Sequence, residues 1–489
     1  MSVKKLKVIH VAAEVSPFSK TGGLGDVTRS LPKALFKVGH DISIITPLYG
    51  KLIDKEKYKL KLIFKDETII IDSEHSIKAN FWQGEMVEGL PVYFVEIKKY
   101  FSKHKRVYGS GQENIRFLVF NIASLKLIKL LNLKPDIIHC HDWHSGLIPY
   151  FIKNKGRYTK NLSGVKTIFT IHNLAFQMGK NWFNVPLESK DYGRRKIPLI
   201  SDSDIENINF AKRAIIYSDF VSTVSEKYKE EIMTKKFGQD LNRILKNREG
   251  TLFGIVNGID YNSYNPKNDL GLFKTFSYKT PKLKVENKKY LQERLGFNVN
   301  EKIPMLCSTS RITHQKGFDL ILKLMPYLMR SDIQLVFMGD GGYEYIKQIK
   351  AFKKKFPKKI SWISFSSNEK LETLIYAASD FFILPSYFEP CGINQMIAMR
   401  YGCIPIVRET GGLYDTVKNF NPITKTGNGF SFRHEDEFSF FWSLIRALES
   451  YKYKDVFGEL IVKAMMQSTS WEIPASKYVK LYRKLIKTK

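Results

Sequence analysis

The chain has 489 residues, 43% hydrophobic and 26% charged with no biased tract, which describes an ordinary globular protein too long for a single core. Its formal charge of +30 raises nucleic acid as a partner, but the lysines are scattered and no basic arm exists, so no nucleic-acid function is expected. No apolar run is long enough to span a bilayer or to form a signal-peptide core, and Cys140, Cys307, Cys391 and Cys403 have neither metal nor disulfide spacing, so a cytoplasmic protein with no membrane attachment is expected.

Residues 7–13 read as a first strand, and the loop Lys20-Thr21-Gly22-Gly23-Leu24-Gly25-Asp26 leads into a helix over 27–38. Strand, glycine loop and helix form the first unit of a Rossmann-type half, although the loop is not a GxGxxG fingerprint. Residues 42–46 read as the second strand, closed by Pro47, and 58–100 as a hairpin-like elaboration without legible chemistry. An apolar helix over 117–131 precedes a strand over 136–140 that ends in His141-Asp142-Trp143-His144. His139, Cys140, His141 and His144 match no zinc spacing, so a cluster that holds carbohydrate or orients its neighbours is favoured over a metal site, with Trp143 equally suited to the core. The strand over 167–171 delivers His172-Asn173-Leu174-Ala175-Phe176. A lone histidine after a strand is more often structural, yet this one reaches the same sheet edge as Lys20 and Asp142. A helix over 210–218, a strand over 219–223 and a helix starting at 228 complete the alternation of a parallel sheet.

The pattern breaks near 247–250, which sets a first domain over 1–250 and a second over 251–470, opening with an apolar run over 251–256 and continuing through a polar, mobile stretch over 266–281. A strand over 304–308 leads to Arg311 and Lys316 in the loop SRITHQKG; strands over 333–337 and 360–365 follow. The apolar run 381–384 ends at Pro385, turns through Glu389, Cys391 and Gly392, and enters a helix around 393–399. A second run, 404–407, repeats the pattern with Glu409, Thr410, Gly411 and Gly412 before another helix. Two helix starts at strand carboxyl ends suit a phosphate, with the glycines allowing close approach; for a lone Gly-Gly pair, tight turns would be the simpler reading. Residues 471–489 read as a basic helix with Tyr478, Leu481 and Leu485 on one face.

On KTGGLGDV, HNLAF, RITHQKG, FEPCGINQ and GGLYDT, in this order from about residue 6 to the last helix, the chain resembles the bacterial glycogen synthases and plant starch synthases. The resemblance implies an α/β fold of two Rossmann-like domains facing a cleft, the GT-B architecture, with the last helix crossing back to the first domain. It implies retaining transfer of glucose from ADP-glucose to the non-reducing end of an α-1,4-glucan, glycogen or starch, with no cofactor and no metal. Arg311 and Lys316 are then expected to neutralise the leaving diphosphate, Glu389 to lie beside the glucosyl ring, and His172 to contact the glucose and the developing charge. Lys20, Gly22 and Gly23 are expected at the donor from the first domain, with Cys391, Gly392, Thr410, Gly411 and Gly412 from the second. Asp26 and Asp142 are expected to hold sugar hydroxyls or loop geometry, and Asn257 to sit at the hinge side. A second glutamate found eight residues after the first in related retaining transferases is Ile397 here, so a two-carboxylate scheme does not apply. Front-side attack, with the leaving phosphate taking the acceptor's proton, is implied instead.

The chain departs from the family pattern at Ser225-Glu226, Phe176 and Tyr264, none of which removes a charged catalytic group. UDP-glucose as donor stays open, because no residue legible here reads the base. A non-catalytic, basic polymer-binding protein would be favoured by loss of Lys20, Arg311, Lys316 or Glu389, and all four are present. The oligomeric state is left open.

Overall fold

The computed structural model describes residues 5–109, 111–366 and 371–488, which form two compact units. The first comprises Met1–Val224, Lys229–Ile255 and Trp471–Lys489; the second comprises Ser225–Tyr228 and Val256–Ser470.

The first unit is built on nine strands: β1 (Lys7–Val11), β2 (Asp41–Pro47), β3 (Lys61–Ile70), β4 (Ser76–Glu85), β5 (Pro91–Glu96), β6 (Ile137–His141), β7 (Lys166–Ile171), β8 (Phe220–Thr223) and β9 (Leu252–Gly254). Their order is β3-β4-β5-β2-β1-β6-β7-β8-β9. The seven strands from β5 to β9 in that order pair in parallel, and their near-continuous apolar runs are buried as helices on both faces require. β3 and β4 add an antiparallel elaboration at the β5 edge. The expected hairpin region is therefore split: its last run, β5, joins the main sheet beside β2 because Val92, Phe94 and Val95 are apolar enough to be buried.

The glycine loop is shorter than expected, since the helix Gly23–Lys37 begins at Gly23 and buries Leu24, Val27, Leu31 and Leu35 along one stripe. The last helix, Glu472–Lys487, buries Ala475, Tyr478, Leu481, Tyr482 and Leu485, with Trp471 just before it, in one core with Val8, Leu31, Leu35, Ile42 and Ile137. The boundary at 250 needs correction. Leu252 is buried and pairs with Val221, so β9 completes the first sheet and the units divide after Ile255.

The second unit holds β10 (Met305–Thr309), β11 (Gln334–Met338), β12 (Ile360–Ile363), β13 (Phe381–Leu384), β14 (Ile404–Arg408) and β15 (Phe430–Phe432), all parallel, in the order β12-β11-β10-β13-β14-β15. The stretch 266–281 is pinned rather than loose: Phe276 is buried, Tyr401 donates to Asp269 over 2.6 Å, and the Asn287 amide bonds both the N–H and the C=O of Lys274. Because β10, β13 and β14 are neighbours, the loops that follow them emerge side by side at one sheet edge.

Candidate active site

In the second unit, Arg311 to Gly317 follow β10 and Pro385 to Gly392 follow β13. The two loops are tied together: the amide of Tyr387 donates to the carbonyl of Gln315 over 2.9 Å, and Gln315 Nε2 returns a bond of 3.2 Å to Phe388. Gly317, at φ 74°, lets the first loop press on the Pro385 carbonyl where a Cβ would collide. This contact brings Lys316 Nζ onto Glu389 Oε2 as a partly buried ion pair, and Ser386 Oγ donates to the same oxygen over 3.3 Å. Glu389 is buried, whereas Arg311 is exposed and makes no ion pair among the described residues.

Residues that the sequence did not single out hold this turn. Arg408, at the end of β14, donates from Nε to the Ser386 carbonyl over 2.8 Å and from a terminal nitrogen to that of Tyr387, and pairs with Glu435 over 3.2 Å. Gln395 Nε2 reaches the carbonyls of Cys391 and Gly392 and the Thr416 hydroxyl over 2.9–3.1 Å. Cys391 is buried, takes a hydrogen bond from the Asn257 backbone, and has its thiol pushed up to about 12 by burial, so it is no thiolate nucleophile. Asn257 is buried, and its side-chain oxygen has no partner among the described residues.

One expectation fails here. The amide of Gly412, expected to be bare for a phosphate, donates to the carbonyls of Glu389 and Pro390 over 3.1 and 3.2 Å. A Cβ on Gly411 or Gly412 would collide with the backbone of Glu389 or Cys391, so these glycines serve close packing of the loop after β14 on the Glu389 turn. Thr410 is buried and its carbonyl accepts from Leu413, starting the short helix Gly411–Thr416.

In the first unit, Glu14, unremarked in the sequence, organises the glycine loop. Its Oε2 accepts from the amides of Thr21 (2.5 Å) and Gly22 (3.1 Å), and its Oε1 from the Tyr108 hydroxyl (2.5 Å). The Gly22 amide is therefore spent inside the protein, while Gly23 opens the helix. Burial raises the Glu14 carboxyl above its usual range. Lys20 pairs with Asp26 over 2.9 Å, both partly exposed.

Asp142, at φ 56°, is buried and its Oδ1 accepts from the amides of His172 (2.8 Å) and Asn173 (3.4 Å), so it holds loop geometry. Burial pushes its carboxyl up to about 7. His172 Nε2 lies 3.0 Å from His141 Nδ1, and His141 Nε2 lies 2.9 Å from His10 Nδ1. Strand alternation puts His139 and His141 on one face and Cys140 on the other. Trp143 is core, edge-on to Phe117 and Phe210.

Ligand atoms of His10, His139 and His141 all lie within 4.8 Å of one another, a closeness that the sequence spacing did not reveal because His10 comes from a different strand. The nitrogens of this trio are committed to hydrogen bonds, with His139 bound to Tyr482 (2.7 Å) and Thr170 (2.6 Å), save His10 Nε2, which has no partner among the described residues. A metal there would displace those bonds.

Residues 7–247 match the family described as starch synthase catalytic domain, and residues 292–461 that described as glycosyl transferases group 1. The chain is 41% identical over 490 residues to the glycogen synthase of Clostridium perfringens, covering 99% of each. It matches the catalytic domain of starch synthase IV from Arabidopsis thaliana, solved with ADP and acarbose, at TM-score 0.87 and 34% identity over 99% of this chain and 100% of that one. A sucrose-phosphate synthase from Thermosynechococcus elongatus, 15% identical, shares the fold at TM-score 0.62 over 98% of this chain and 99% of that one. Together with two parallel-sheet α/β units, these likenesses define a glycosyltransferase of the GT-B class. Within that class, the chain belongs to the glycogen and starch synthase family.

Proposed function

We propose that the protein transfers the glucosyl unit of ADP-glucose to the 4-hydroxyl at the non-reducing end of an α-1,4-glucan, with retention and without a metal. The observation that carries this reading is the Lys316–Glu389 pair, on adjoining loops at the carboxyl ends of β10 and β13, with Arg311, which makes no ion pair among the described residues, on the first of these loops. The ADP held by the related starch synthase IV supports the choice of donor.

In the proposed reaction, the bond from glucose C1 to the β-phosphate oxygen breaks while the acceptor oxygen bonds C1 on the same face. The acceptor's proton passes to the leaving phosphate. Negative charge grows on that phosphate, and fixed cations stabilise it most where water is excluded. Arg311 forks onto two phosphate oxygens. Lys316, whose ammonium has three donors, keeps Glu389 with one and offers another to the phosphate. Glu389 hydrogen-bonds a sugar hydroxyl and faces the oxocarbenium-like carbon. Cys391, Gly392, Thr410, Gly411 and Gly412 shape the wall around it, and Asn257 presents its unpaired amide oxygen. On the first unit, His172 contacts the glucosyl unit, Lys20, paired with Asp26 at the Gly22-Gly23 loop, binds donor oxygens, and Asp142 holds His172 in place.

Elongation of a short maltooligosaccharide tests this reading, with ADP-glucose and UDP-glucose supplied in parallel and the new linkage read by proton NMR. A new α-1,4 linkage from ADP-glucose is expected. Transfer from UDP-glucose alone would replace the donor, and a β-linked product would overturn the retaining scheme.

A further inference from the structure

Three histidines from three different strand segments of the first unit form a continuous hydrogen-bonded row. His10 lies on β1, His141 at the end of β6, and His172 directly after β7. The contacts run His10 Nδ1 to His141 Nε2, then His141 Nδ1 to His172 Nε2, at 2.9 and 3.0 Å. His10 and His141 are fully buried, His172 partly. Burial depresses all three rings far below the usual imidazole range, His10 and His172 to about 3, so each is neutral and carries a single N–H.

A row of neutral imidazoles must point one way, because each ring that accepts at one nitrogen donates from the other. The inner end decides which. His10 Nε2 is buried without a partner among the described residues, and a buried N–H left unpaired is a rarer defect than an unpaired acceptor. The proton of His10 therefore sits on Nδ1 and points to His141. That fixes the His141 proton on Nδ1, pointing to His172, and leaves His172 accepting at Nε2. Its own N–H is then on Nδ1, which has no partner among the described residues.

We propose that His10 and His141 are positioning residues that lock His172 as its Nδ1–H tautomer, so that it presents a hydrogen-bond donor, and no basic nitrogen, to an oxygen of the bound substrate. The substrate half of this inference rests on the glucosyl-transfer reading; the tautomer half does not. One consequence is that His172 cannot take the acceptor's proton through Nδ1, in keeping with a proton that leaves on the phosphate.

The test is a long-range proton–nitrogen NMR correlation on the full chain with ring-labelled histidine and no substrate, the His172 signal being assigned by its loss in His172→Gln. Protonation of His172 at Nδ1 is expected. The His10→Asn amide can occupy the place of Nδ1 and donate to His141, so it should preserve that signal; His10→Phe, with no donor, should move the His172 proton to Nε2. With ADP-glucose, kcat should fall by about tenfold or more in His10→Phe at nearly unchanged KM, as expected for a wrong tautomer, and recover in His10→Asn. Protonation at Nε2 in the unaltered protein would overturn the proposal, as would the same His172 tautomer in both His10 variants. Should His10→Phe not fold, the unaltered protein's spectrum decides alone. The Nδ1–H pattern without glucose transfer from any donor would leave the row standing and sink the transfer reading.

Discussion

Lys316 is the residue on which the charge balance turns. In the structure its ammonium already holds Glu389, so removing it strips the developing phosphate charge of a cation and leaves a buried carboxylate without its ion-pair partner. Lys316→Ala should lower kcat by roughly two to three orders of magnitude, about 3–4 kcal/mol by analogy with the loss of an oxyanion donor. Steady-state kinetics with ADP-glucose checks this; a variant within about threefold of the unaltered enzyme would remove Lys316 from the mechanism. Lys316, Glu389 and Arg311 were legible in the sequence because each is a charged residue in a loop after an apolar strand. Glu14 was not, since it acts by accepting the amides of Thr21 and Gly22, and a side chain bonding backbone seven and eight residues on leaves no pattern of residue types. Arg408 and His10 escaped for the same reason, as strand residues whose partners lie on other segments.

At the scale of elements, the loop after β14 packs on the Glu389 turn with no room for a side chain. A methyl group on Gly412 would meet the Cys391 backbone, which cannot move as a flexible side chain would. Gly412→Ala should therefore destabilise the second unit by on the order of 3 kcal/mol. Chemical denaturation measures this, and an unshifted midpoint would show that the loop has slack. The strands β1, β2, β7, β10, β11, β13 and β14 were legible because buried parallel strands are short apolar runs bounded by turns. β15, three residues long, was too short to register, and β5 was read as hairpin because sequence alone does not say which neighbour a strand pairs with. The glycine pair was legible as a special position, but its purpose was not. Whether an amide is bare or bonded depends on a loop more than twenty residues away in the chain, here Glu389 and Pro390 for the amide of Gly412.

For the whole chain, the last helix belongs to the first unit's core. Trp471, Tyr478, Leu481, Tyr482 and Leu485 are all buried there, and at ~1.5–3 kcal/mol for each large apolar side chain they contribute on the order of 10 kcal/mol. That equals the stability of an entire domain, about 5–15 kcal/mol, so a chain ending at Ser470 should not fold its first unit, as circular dichroism and proteolysis would reveal. Acid should act on the same unit. Burial lowers His10, His40, His139, His141, His144 and His172, so the stability they contribute is present above the ordinary imidazole range near 6.5 and lost as pH falls. Asp142, Glu14 and Glu206, raised by burial, act in the opposite sense and lose their contribution as pH rises, Asp142 through about 7. At up to about 1.4 kcal/mol per pH unit for each group, six histidines outweigh three carboxylates, and the melting temperature should drop between about pH 6.5 and 5. A flat profile there would mean that the histidines are not buried in their neutral form. The central claim, metal-free glucosyl transfer carried by the Lys316–Glu389 site, is tested most directly by incorporation of labelled glucose from ADP-glucose into glycogen, with EDTA present and Glu389→Ala as control. Full incorporation in EDTA and its loss in the variant are expected; incorporation that EDTA abolishes, or that Glu389→Ala retains, would rule out metal-free transfer at this site.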